Sequence, residues 1–89
     1  MKIMIRIWAK LIRDQRITLS KIVEIDGYYH SSRLFDCVVS VCYQLDIPTP
    51  SVLYSHKYNY TNFNIAKFKP SDFVEDVDFD MLTIEAVLE

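Results

Sequence analysis

Ile3-Met4-Ile5-Arg6-Ile7-Trp8-Ala9-Lys10-Leu11-Ile12-Arg13 alternates along its whole length. Ile3, Ile5, Ile7, Ala9 and Leu11 fall on one side, and Lys2, Met4, Arg6, Trp8 and Lys10 on the other. Period two with many β-branched residues specifies a strand with one buried face. The polar break Asp14-Gln15-Arg16 leads into a second alternation, with Ile17, Leu19, Lys21, Val23 and Ile25 set against Thr18, Ser20, Ile22 and Glu24. Two such runs across a short polar link predict an antiparallel hairpin. Asp26-Gly27 holds the only glycine and ends the second strand in a turn.

After Ser31 and Ser32, either of which can cap a helix, the period changes. Arg33, Asp36, Ser40 and Gln44 form one polar stripe, and Leu34, Phe35, Val38, Val41, Cys42 and Leu45 fill the opposite side. That pattern predicts a helix lying on the sheet and ending near Asp46-Ile47, because Pro48 disfavours helical geometry in the residue before it. Val52-Leu53-Tyr54 reads as a short strand and residues 55–62 as an irregular aromatic loop. Phe63, Ile65 and Phe68 suggest another short strand, and Pro70-Ser71-Asp72-Phe73 a single helical turn. Residues 81–88 close as a strand, with Leu82, Ile84, Ala86 and Leu88 inward and Met81, Thr83, Glu85 and Val87 outward.

The expected order is ββαβββ: one α+β domain over residues 1–89, with an antiparallel or mixed sheet of about four strands and one main helix on one face. The last strand is expected beside the first, as in β-grasp domains or in a plainer antiparallel sheet. Eighty-nine residues, 51% of them hydrophobic, suffice for a small core. The longest apolar run is three residues, so no membrane span is expected. With no secretory leader visible and two unpaired cysteines, the expected setting is the cytoplasm.

Charge is segregated. Residues 1–69 carry all ten basic side chains and five acids, whereas 70–89 carry seven acids and no base. Arg6 and Lys10 are expected to face Glu85 and Asp80 across neighbouring strands, opposing a slipped register. Asp76, Asp78 and Asp80 imitate the start of a calcium loop, but Met81 stands where glycine is needed and Val87 where glutamate is needed, so only a weak divalent-metal site is left. His30, Cys37, Cys42 and His56 lack zinc-ligand spacing, and the two cysteines lie about 140° apart on their helix. No nucleophile motif or phosphate-cradling loop occurs. A non-enzymatic protein without cofactor is therefore expected.

Two surfaces compete for a role. Tyr54, Lys57, Tyr58, Tyr60, Lys67 and Lys69 interleave aromatics with bases, as a binder of single-stranded nucleic acid would; the acidic pI of about 5.6 disfavours that partner. The outer sheet face gathers Met4, Arg6, Trp8, Lys10, Ile12, Ile22, Met81 and Val87. Trp8 between two cations fits an anchor for a protein partner or a second copy, unless the 55–62 segment covers it.

Leu45-Asp46-Ile47-Pro48-Thr49-Pro50 and the run Phe68 to Asp80, with the opening Ile5 to Ile12, resemble small uncharacterised proteins of Firmicutes bacteria. The likeness covers most of the chain. It implies a bacterial cytoplasmic protein and brings no activity, cofactor or catalytic residue.

Overall fold

The computed structural model describes residues 4–26 and 33–87, Met4 by its backbone alone. The expected turn at Gly27, the serine cap, and the placement of Lys2, His30 and Leu88 lie outside those residues. The elements are β1 (Met4–Arg13), β2 (Arg16–Asp26), α1 (Leu34–Leu45), α2 (Tyr54–Phe63), β3 (Ile65–Phe68), a 3-10 turn (Pro70–Asp72) and β4 (Met81–Val87). The architecture is α+β: a four-stranded sheet of order β2-β1-β4-β3, antiparallel at every pairing, with two helices. The last strand does lie beside the first, but antiparallel to it, so the sheet is not mixed.

The β1–β2 hairpin turns on Asp14 and Gln15, whose φ values of 52° and 64° are both positive. Such a turn matches the twist of the flanking strands. Its bare N–H is satisfied from afar, since the Asp14 amide donates to Asp80 Oδ2 at 2.8 Å and the Asp80 amide donates to the Ile12 carbonyl at 2.8 Å. Asp80 therefore serves the hairpin turn rather than facing Arg6 and Lys10 of β1.

A register shift between Leu11 and Ile12 leaves Thr18 as the extra residue of β2: Leu11 faces Leu19, but Ile12 faces Ile17. Directly paired residues share a face, so the bulge turns Ile17 to the outer side, away from Leu19. Strict alternation had placed both on one side.

Ile5, Ile7, Ala9, Val23, Ile25, Ala66, Phe68, Leu82, Ile84 and Ala86 form the buried side of the sheet. Leu34, Cys37, Val38, Val41 and Cys42 of α1 and Tyr60 of α2 join the same cluster. Helix α1 begins after Arg33, whose Nη1 donates to the Asp26 carbonyl at 2.8 Å. It stops at Asp46, left-handed at φ 56°, where the Asp46 and Ile47 amides donate to the Tyr43 and Cys42 carbonyls. Phe35, expected inside, is exposed.

The largest departure is α2. Residues 55–62 are helical, not irregular, and Val52-Leu53 precedes the helix without forming a strand. Tyr54, His56, Tyr58 and Tyr60 satisfy both periods, since every second position also contains every fourth. Burial separates the two: His56 and Tyr60, one turn apart, are buried, while Tyr54 and Tyr58 are exposed. Asn64, left-handed at φ 61°, ends the helix and leads into β3. Among the described residues no helix is long and apolar enough to cross a membrane.

Candidate functional site

Both helices bury their apolar sides in the cluster beneath the sheet. The other face is assembled by register alone, as rows across the strands. One row is Glu24, Arg6, Val87; the next is Ile22, Trp8, Glu85, Ile65; the third is Ser20, Lys10, Thr83, Lys67; the fourth is Ile17, Ile12, Met81.

Trp8 sits near the middle and is 38% exposed. Its indole N–H donates to Ser20 Oγ at 2.7 Å, and Lys10 Nζ lies 4.1 Å from the ring centroid. The ring is thus held on two sides before any partner arrives, which lowers the entropy cost of using it as an anchor. Arg6 Nε lies 3.8 Å from Glu24 Oε1 in the neighbouring row. Both side chains are half-exposed, so this pair contributes little to stability. Helix α2 does not cover Trp8; it lies on the buried side through Tyr60. The expected opposition of Arg6 and Lys10 to Glu85 is not made as ion pairs. Glu85 stands opposite Trp8, and among the described residues neither Glu85 nor Lys67 has an ion-pair partner. Thr83 is 4% exposed, and its hydroxyl has no hydrogen-bond partner among the described residues.

The aromatic and basic set does not form one surface. Tyr60 is 1% exposed and belongs to the core, so it cannot stack a base. Tyr54 and Tyr58 stand together on α2 with ring centroids 6.4 Å apart, beside exposed Lys57. Lys67 lies on the outer sheet face opposite Thr83, and Lys69 follows β3. A small cleft of about 210 Å³ between Asn59, Phe63, Ile65 and Lys67 carries the outer face around the β3 edge.

Among the described residues no three His, Cys, Asp or Glu side chains gather as cation ligands, so Asp76, Asp78 and Asp80 do not converge. Cys37 and Cys42 are free and buried in α1. Burial pushes the Cys42 thiol up to about 11. It raises Cys37 as well, against the hydrogen bond from Tyr60 and the nearby Arg33 charge. Thiols held protonated are poor nucleophiles and poor ligands.

Sequence reasoning missed the polar group inside the fold. His56 Nδ1 accepts the Leu53 N–H at 2.9 Å, and Nε2 lies 3.3 Å from Asp72 Oδ2. The first contact requires a lone pair on Nδ1, which places the proton of the neutral ring on Nε2, facing the carboxylate. Asp72 Oδ2 also accepts the Lys69 N–H at 2.9 Å. The ring lies against Phe68 with centroids 4.2 Å apart. In both turns a side chain three residues on satisfies the amide that precedes the helix, which is half of a capping box. Position N3 was the available signal, but it needed α2 to be recognised first. His56 and Asp72 together fasten α2 to the 3-10 turn.

Comparison with protein-family models, curated proteins and solved structures finds no match.

Proposed function

We propose that this chain is a non-enzymatic protein-interaction module of the cytoplasm that works through the outer face of its sheet. The observation that carries this is the one-sided placement of the helices, which leaves Trp8, Ile22, Ile12, Ile17, Met81 and Val87 together on a face that no described element covers. Charged residues surround an aromatic already fixed by Ser20 and Lys10, an arrangement typical of interface anchors. The non-enzymatic part rests on the buried, protonated thiols and on a histidine whose two nitrogens are both engaged in structure. The cytoplasmic part rests on the same unpaired thiols.

Size sets the expected strength. Strands spaced ~4.8 Å apart and rising ~3.3 Å per residue give about 500 Å² of flat sheet, against ~800 Å² per partner in a standard interface. Binding in the micromolar range is expected, since hot-spot quality and not area sets affinity. Sedimentation velocity of the wild type and Trp8→Glu over a wide concentration range, together with affinity capture by each, tests the reading. Association or capture by the wild type that Trp8→Glu abolishes, with unchanged circular dichroism, is the expected result. A wild-type monomer at every concentration that captures nothing refutes it.

A further inference from the structure

The outer face carries its own complement. Glu85 is half-buried near the middle of the sheet, and among the described residues neither it nor Lys67, in the next row on β3, has an ion-pair partner. Thr83, buried and paired directly with both Lys10 and Lys67, has no hydrogen-bond partner for its hydroxyl among the described residues. Lys10 and Lys67 make this row cationic, and such a row suits a carboxylate. The carboxylate that fits stands two residues along the same strand.

We infer that the occupant of the outer face is a second copy of this chain, packed sheet on sheet about a two-fold axis that runs across the strands at the level of Ala9, Ile84 and Ala66. This rests on the outer-face reading above and names its partner. Such an axis reverses strand direction and exchanges the two central rows. Glu85 of each copy then lies over Thr83 of the other, between Lys10 and Lys67. Trp8 lies over the partner copy's Lys10, and Ile65 over its Lys67. The contact is isologous, as a two-fold interface requires: each acid meets the bases and each base meets the acid. Facing sheets pack about 10 Å apart, within reach of glutamate and lysine side chains extended toward each other. Arg6 and Glu24 already pair within one copy and remain at the rim.

The test is charge reversal followed by mixing. Glu85→Lys alone places like charges together at both symmetric contacts, and Lys67→Glu alone sets a second acid against Glu85 while Lys10 still attracts it. Each is expected to weaken self-association by about tenfold or more. Combining both substitutions in one chain restores part of it, because Lys10 is left beside a like charge at each contact. Mixing the two single variants in equal amounts restores more of it, because one contact is then the wild-type one and only the other keeps Lys10 beside a like charge. Thermal melts of the dilute variants check that each still folds; the mixing experiment then uses only folded chains. Recovery on mixing supports the inference. A monomeric wild type overturns it, as does association that ignores both reversals or fails to recover. If the wild type is monomeric yet captures a protein that Trp8→Glu loses, the second copy is ruled out and the outer-face reading stands. If Trp8→Glu changes neither, both fall.

Discussion

Replacing His56 with alanine perturbs the polar fastening of α2 directly. The Leu53 amide loses its acceptor in a part-buried site, at a cost of ~1–3 kcal/mol. The imidazole also leaves a void against Phe68, adding about 1 kcal/mol on the scale of small core truncations. Asp72 keeps the Lys69 amide and loses only one partner. The total is about 3 kcal/mol, out of the ~4–13 kcal/mol expected for a domain of this length. An unfolding entropy of ~2.1 cal/mol/K per residue converts 1 kcal/mol into about 5 °C here, so the melting temperature should fall by about 15 °C. His56→Asn separates the contributions, because its side-chain oxygen can stand where Nδ1 stood and accept the Leu53 amide. It should recover at least half of the loss, although the contact to Asp72 is gone. Differential scanning calorimetry of the three proteins decides the matter. A fall of under about 4 °C for alanine would refute the assignment of His56 as a structural fastener, and so would an asparagine variant no better than alanine.

Two further outcomes follow from burial. Tyr60→Ala should destabilise the fold by ~3–5 kcal/mol in urea titrations, as for a buried aromatic, while Tyr58→Ala on the exposed side of the same helix should stay within about 0.5 kcal/mol; equal losses would mean that α2 presents a different face to the sheet. Cys42 links stability to alkaline pH. Its folded value of about 11 lies above the ordinary 9.0, so the folded chain retains a proton that the unfolded chain has released. Its contribution is complete below about pH 9 and fades as pH rises toward 11, by roughly 2–3 kcal/mol. Urea midpoints at pH 8 and pH 10.5 should differ less for Cys42→Ala than for the wild type, and identical pH slopes would remove Cys42 from the account.

Only part of the candidate site was legible in the chain. Trp8, Arg6, Lys10 and Ile22 were placed on the outer face by alternation, because a strand's period of two assigns faces once one side is known to be buried. Alternation could not show the one-residue bulge at Thr18, which carries Ile17 to that face, since the defect appears only against a partner strand. The buried Thr83, Glu85 beside Trp8 and the lysines paired with Thr83 are equally cross-strand facts. Asp80 looked like a counter-charge for β1 and instead accepts the Asp14 amide, a contact between residues 66 positions apart.

The sequence by itself determined the β1–β2 hairpin, the first helix with its stop before Pro48, the closing strand, and the burial of both thiols. These follow from local period and from the chirality and sterics of each residue type, which act within a few positions. Tertiary structure alone decided that β4 runs antiparallel to β1 in a sheet without parallel pairs, that the tyrosine segment coils, and that His56 points inward to Asp72. Even-numbered positions 54 to 60 suit strand and helix alike, so the tie is broken only by which side chains find a core to enter, and that depends on chain far from them.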